Sequence, residues 1–89
     1  MGSGNTQKRS LEATMKRLEK LREYRSRLVA ESNTSVDKLI AAKENGTVSP
    51  QLIAKTTEHV RRMQFRIQRI NTEVDRLIAA DPRVLQPAH

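Results

Sequence analysis

The chain has 89 residues, 17 Lys and Arg against 10 Asp and Glu, a formal charge of +7, one Tyr, one Phe, and neither Trp nor Cys. That length supports a single small domain with a modest core, and the missing thiols exclude disulfides and thiolate zinc sites. No run is long and apolar enough for a signal peptide or a membrane span, so a cytoplasmic location is expected, and the cationic excess favours acidic partners.

The predicted elements begin with a flexible basic arm over residues 1–9. Ser10 is the expected N-cap of helix one, with Glu12 in the first turn where the helix dipole favours a carboxylate. A helical pattern then runs from 10 to 44. Glu12 with Lys16, and Glu23 with Arg27, stand four apart in the favourable order. Ser32-Asn33-Thr34-Ser35 places four weak helix formers in succession, and Thr34 with Asp37 resembles a capping box. A continuous helix, or one kinked near 32–35, is expected rather than a true break.

Asn45-Gly46 is a helix stop, because glycine accepts the left-handed conformation that ends helices. Ser49-Pro50 is an N-cap followed by proline at the first helical position. The turn is therefore 45–49 and helix two is 50–80. Asp81-Pro82 ends it, since the residue before proline is pushed out of the helical region. Residues 82–89 are expected as a tail.

Apolar residues recur at alternating spacings of three and four, the seam of a coiled coil. Helix one offers seam positions 11, 14, 18, 21, 25, 28, 32, 35, 39 and 42. Helix two offers Ile53, Thr56, Val60, Met63, Ile67, Ile70, Val74 and Leu77. A short turn makes neighbouring helices antiparallel. Facing seam residues then pair so that their numbers sum to 95, as with Leu18 and Leu77 or Leu28 and Ile67. The centre of that register falls in the 45–49 turn. The fold class is thus all-α, an antiparallel two-helix coiled-coil hairpin. Arg25, Ser32 and Ser35 are polar seam residues. Arg25 can snorkel to water, and the group reads either as a loose middle section or as a register device or hinge.

The flanks of the seam differ. Lys55, Arg62, Arg69, Arg76 and Arg83 stand seven apart. One edge, heptad columns g and c, carries Arg17, Lys20, Arg27, Lys38, Lys55, Arg62, Arg66, Arg69 and Arg76, opposed only by Glu31 and Glu73. These nine are the expected contacts to an acidic protein surface or to nucleic acid. The other edge, columns e and b, balances Arg22, Lys43 and Arg61 against Glu12, Glu19 and Asp75. It also holds Met15, Val29, Val36, Ile40 and Ile78. With Phe65 from the outer f column, these five are the expected oligomer or docking residues. A two-helix hairpin of this size has little stability alone, so a second copy or another protein is expected there.

Catalysis is not expected. The chain has no phosphate-binding glycine loop, nucleophile elbow or HExxH. His59 and His89 are too isolated for a metal pair, so no metal and no cofactor are expected. A hairpin this thin offers no enclosed pocket for a small molecule or for tuning a carboxylate. The apolar face lacks the bulky aromatic residues of a membrane-surface helix.

Two short stretches resemble known families. Val60-Arg61-Arg62 with Ile67-Gln68-Arg69-Ile70-Asn71-Thr72 resembles the second helix of the small two-helix ribosomal protein of the large subunit. Leu21-Arg22-Glu23-Tyr24-Arg25, ahead of a glycine-containing turn, is similar to the flagellar and type III secretion export stalk proteins. Both families are basic helical hairpins. The turn and helix one differ in length from the first family's, and the second family's chains are much longer, so neither assigns a family. The expected function is a binding or assembly module that oligomerises or docks through the apolar edge and meets an acidic partner through the basic one. The alternative is sequence-non-specific RNA or DNA binding.

Overall fold

The computed structural model describes residues 3–86, with side chains from Leu11 onward. Met1 and Gly2 of the expected arm and residues 87–89 of the expected tail, His89 among them, lie outside the described residues. The protein is a helical hairpin measuring 68 × 22 × 16 Å. Helix α1 spans Ser3–Glu44 and α2 spans Pro50–Ala80, followed by a short 3-10 helix over Pro82–Leu85.

Helix α1 starts at Ser3, seven residues ahead of the expected boundary at Ser10. No proline interrupts the chain there, and extending a formed helix needs only one residue ordered per hydrogen bond gained. It also continues without a break through 32–35. Thr34 shows why: its Oγ1 donates to the Ala30 carbonyl at 2.9 Å, one turn back, rather than capping a new helix.

The α1 terminus closes as a Schellman motif. Gly46 has φ +70°, the Thr47 amide donates to Ala42 O at 2.8 Å, and the Gly46 amide donates to Lys43 O at 3.2 Å. Three residues later Ser49, in extended conformation, accepts the Leu52 amide on its Oγ at 3.1 Å and so caps α2 ahead of Pro50. The chain reverses within this span. Cross-helix bonds then run in opposite numerical order, Arg25 to Asn71 and Glu31 to His59.

The core is a seam. Leu21, Leu28, Met63 and Ile70 are buried, and Ile67, Val74 and Leu77 pack against them. From Leu11 to Glu44, every α1 residue that is not fully exposed is one of the ten seam positions. Met63, which the register sets opposite the small Ser32, is the most deeply buried residue, 2% exposed. A long flexible thioether fills the space a short side chain leaves. Ile70 is buried although the register sets Arg25 opposite it. The Arg25 guanidinium turns to the edge and donates from Nη1 to Asn71 Oδ1 at 2.8 Å. Among the described residues no side-chain nitrogen or oxygen is buried without a partner.

Three expectations are corrected. Ile53 is not in the seam: it is 47% exposed, and Leu52 is half-buried in its place. Ile78 is half-buried rather than free on its edge. Both shifts have one cause. A straight helix turns every 3.6 residues, so a 3.5-residue seam drifts by about 20° per heptad away from the tightest contact. Counting from Met63, the inward position has moved from 53 to 52 at one end and toward 78 at the other. Third, residues 82–85 of the expected tail form the 3-10 helix. It packs back on both helices at the open end, with Val84 half-buried. Asp81 anchors it, giving its amide to Leu77 O at 3.1 Å and taking the Arg83 amide on Oδ1 at 3.3 Å.

Candidate functional site

The basic edge is assembled from both helices. All nine expected cations are exposed. They are not equivalent. The Arg62 guanidinium donates from Nε to Glu58 Oε1 at 3.1 Å. Arg76 grips both carboxylate oxygens of Glu73, with Nη2 to Oε2 at 2.7 Å and Nη2 to Oε1 at 2.8 Å. Those hydrogen bonds hold the Glu73 carboxyl below its ordinary range and raise the Arg76 guanidinium above its own. Further along the same seven-residue spacing, Arg83 makes the equivalent fork on Asp81 and leaves the column by entering the 3-10 helix.

The remaining seven, Arg17, Lys20, Arg27, Lys38, Lys55, Arg66 and Arg69, make no direct ion pair among the described residues, although Arg17 is near enough to Glu73 to favour its charged form. Glu31, expected to oppose this edge, instead lies 3.4 Å from His59 Nε2 across the helix pair. Direct ion pairing therefore engages Arg62, Arg76 and Glu73, and leaves seven cations against the single carboxylate of Glu31 on this edge. In the hairpin register, Arg27, Arg66 and Arg69 fall at one level near its middle.

Sequence reasoning passed over Tyr24. It sits in the g column among Arg17, Lys20 and Arg27 and is 45% exposed. Its heptad position alone would have placed it on this edge. Phe65 stands on the outer face of α2, next to Arg69 of the basic edge. It is 60% exposed and shares a shallow depression with Gln68, Arg69, Thr72 and Glu73, away from the apolar docking residues it was grouped with. Column f lies between columns b and c on a helical wheel, so Phe65 borders both edges. Both aromatic residues of the chain therefore stand exposed beside cations.

The opposite edge carries Met15, Val29, Val36 and Ile40 exposed in a line along α1. Two grooves open on this edge between the helices. One, about 460 Å³, lies at the open end among Met15, Leu18, Val74, Ile78, Val84 and Leu85. The other, about 290 Å³, lies toward the turn among Val36, Leu39, Thr56, Val60 and Gln64. The first is the deeper consequence of the 3-10 helix, whose Val84 and Leu85 form a wall that a plain tail would not supply.

Among the described residues, no three His, Asp or Glu side chains gather as a metal would require. No described helix is long and apolar enough to cross a membrane. Comparison with protein-family models, with curated proteins and with solved structures finds no match for this chain.

Proposed function

We propose that this chain is a non-enzymatic helical-hairpin module, an adaptor or structural component of the cytoplasm. Its apolar edge oligomerises or docks, and its basic edge engages an acidic protein surface. The observation that carries the reading is the sorting of charge: seven exposed cations that make no direct ion pair share one edge, while the other edge is balanced and apolar. Rim charges of this kind steer encounter and fix register with a complementary surface. A guanidinium cluster beside an exposed tyrosine is also the composition of interface anchor points.

The test is charge reversal of the mid-edge cluster, Arg27→Glu with Arg66→Glu and Arg69→Glu, read by anisotropy against a fluorescent oligoglutamate peptide. Binding that disappears while circular dichroism keeps its helical signal supports the proposal. Unchanged binding removes it.

A second reading is sequence-non-specific RNA or DNA binding, favoured by Tyr24 and Phe65 standing exposed beside Arg27 and Arg69. Aromatic faces stack unpaired bases while neighbouring cations take the phosphates. Single-stranded oligonucleotides titrated over a salt series separate the two readings. Nucleic-acid affinity should fall linearly in log–log form, with a slope of about −0.7 per phosphate neutralised. No binding at low salt eliminates this alternative.

A further inference from the structure

We infer that the apolar edge pairs with the same edge of a second copy, α1 running antiparallel to α1 of its partner, so that two hairpins stack into a four-helix bundle. This rests on the docking role proposed above for that edge and names its occupant.

The need for a partner is visible in the core. Among the described residues only four are buried in the single hairpin, while Met15, Val29, Val36 and Ile40 lie in line and exposed. Small scaffolds without disulfides or metals usually gain their stability by burying such a stripe against another chain.

The choice of a second copy comes from charge and shape. The chain carries +7 overall, yet this edge sets Arg22, Lys43 and Arg61 against Glu12, Glu19 and Asp75. Two copies meeting here do not repel, and their basic edges face outward on opposite sides. An acidic partner finds no net attraction on this edge. Antiparallel pairing about a two-fold axis near Ser26–Val29 puts Met15 level with Ile40 of the other copy and Glu12 level with its Lys43. Parallel pairing would stack Glu12 on Glu12, Arg22 on Arg22 and Lys43 on Lys43.

The grooves fit the same arrangement. The open-end groove of about 460 Å³ lies at the level of Met15, where the second copy brings Ile40. The turn-end groove of about 290 Å³ lies at the level of Val36 to Leu39, where the same two-fold brings Glu19 to Lys16 of the second copy, one residue short of its Met15. Each open-end groove thus receives Ile40 of the other copy. The contact is isologous and closes at two copies. In this bundle Val84 and Leu85 serve as part of the wall that receives Ile40.

The experiment uses the full chain, whose lack of cysteine permits clean labelling. Multi-angle light scattering over a dilution series should give twice the mass of one chain. Ile40→Glu, at a site 50% exposed in the hairpin, should halve that mass. Nitroxide labels on Met15→Cys should lie roughly 38 Å apart along the bundle, 25 residues at about 1.5 Å each. A mixture of labelled Met15→Cys and Ile40→Cys chains should instead show one short distance between unlike labels. A single-chain mass at every concentration overturns the inference, as does a short distance between two Met15→Cys labels. If the chain is monomeric but still binds oligoglutamate, self-pairing fails and the basic-edge proposal stands.

Discussion

Arg25 and Asn71 join the two helices across the seam, the guanidinium Nη1 lying 2.8 Å from the amide Oδ1. A cation at a seam position thereby leaves the core and bonds to the opposite helix at one defined level. Asn71→Ala removes the acceptor and should lower stability by about 0.5–1 kcal/mol, the net worth of one such bond. Arg25→Leu exchanges the bond for buried aliphatic surface and should raise the melting temperature. Its gain in stability should come with loss of a unique alignment, read as line broadening of the methyl resonances of Leu21, Leu28 and Ile70. Sharp lines in Arg25→Leu would show that the bond does not set the register.

Leu28→Ala opens the smallest possible core at its centre. Removing a buried leucine side chain costs roughly 2–5 kcal/mol. Small domains hold only about 5–15 kcal/mol in total, so this variant should lose much of its helical signal at 37 °C. Full retention of the wild-type melting curve would mean that the four-residue cluster does not hold the helices together.

Gly46→Ala places a Cβ in open space, so no neighbour is displaced. The penalty is conformational, since φ +70° suits glycine, and should be about 1 kcal/mol in chemical denaturation. Gly46→Asn should lose less, because asparagine visits the left-handed region more readily.

The hydrogen bonds from the Arg83 side chain hold the Asp81 carboxyl below the ordinary aspartate value, with burial opposing them and the Arg83 amide adding to them. The folded state therefore releases this proton more readily than the unfolded chain does. The resulting stabilisation is complete above about pH 4, the ordinary aspartate range, and is lost as pH falls through the depressed folded value. Carboxyl NMR should titrate Asp81 below that range in the wild type. Arg83→Gln should move it upward and loosen the 3-10 helix. An unchanged Asp81 titration in that variant would show that the fork is not formed in solution.

The fold was legible because few signals competed. The three-and-four spacing of Leu18, Leu21, Leu28 and Leu39 marks one face of α1, and Asn45-Gly46 with Ser49-Pro50 marks a reversal. Each rests on a local rule that tertiary packing does not override. Ile53 and Ile78 were misjudged because a heptad count assumes supercoiling throughout, whereas drift of the helix face accumulates toward both ends. The 3-10 helix was not visible because Val84 and Leu85 carry no periodicity of their own. Their folding back depends on Asp81, which the sequence presents only as a helix stop.

The edges were legible as columns but not as chemistry. Heptad arithmetic assigns Arg62 and Arg76 to the basic edge. It does not weigh Glu58 from the f column or the rotamer that lets Glu73 take both ends of Arg76. Tyr24 carries no charge, so a charge pattern does not reveal it, although column g places it on the basic edge. Phe65 sits in column f between the two edges, so its column assigns it to neither, and the depression it shares with Arg69 depends on side-chain packing.

The contrast between Met15, half-exposed on the apolar edge, and Met63, sealed in the seam, supplies the molecule with an internal chemical clock. Peroxide reaches a thioether only where solvent does, and the sulfoxide it leaves is polar. Modification of Met63 therefore reports the rate at which the helices separate, while protection of Met15 reports whatever lies over its groove. One mass spectrum taken through a peroxide time course would read both processes at once.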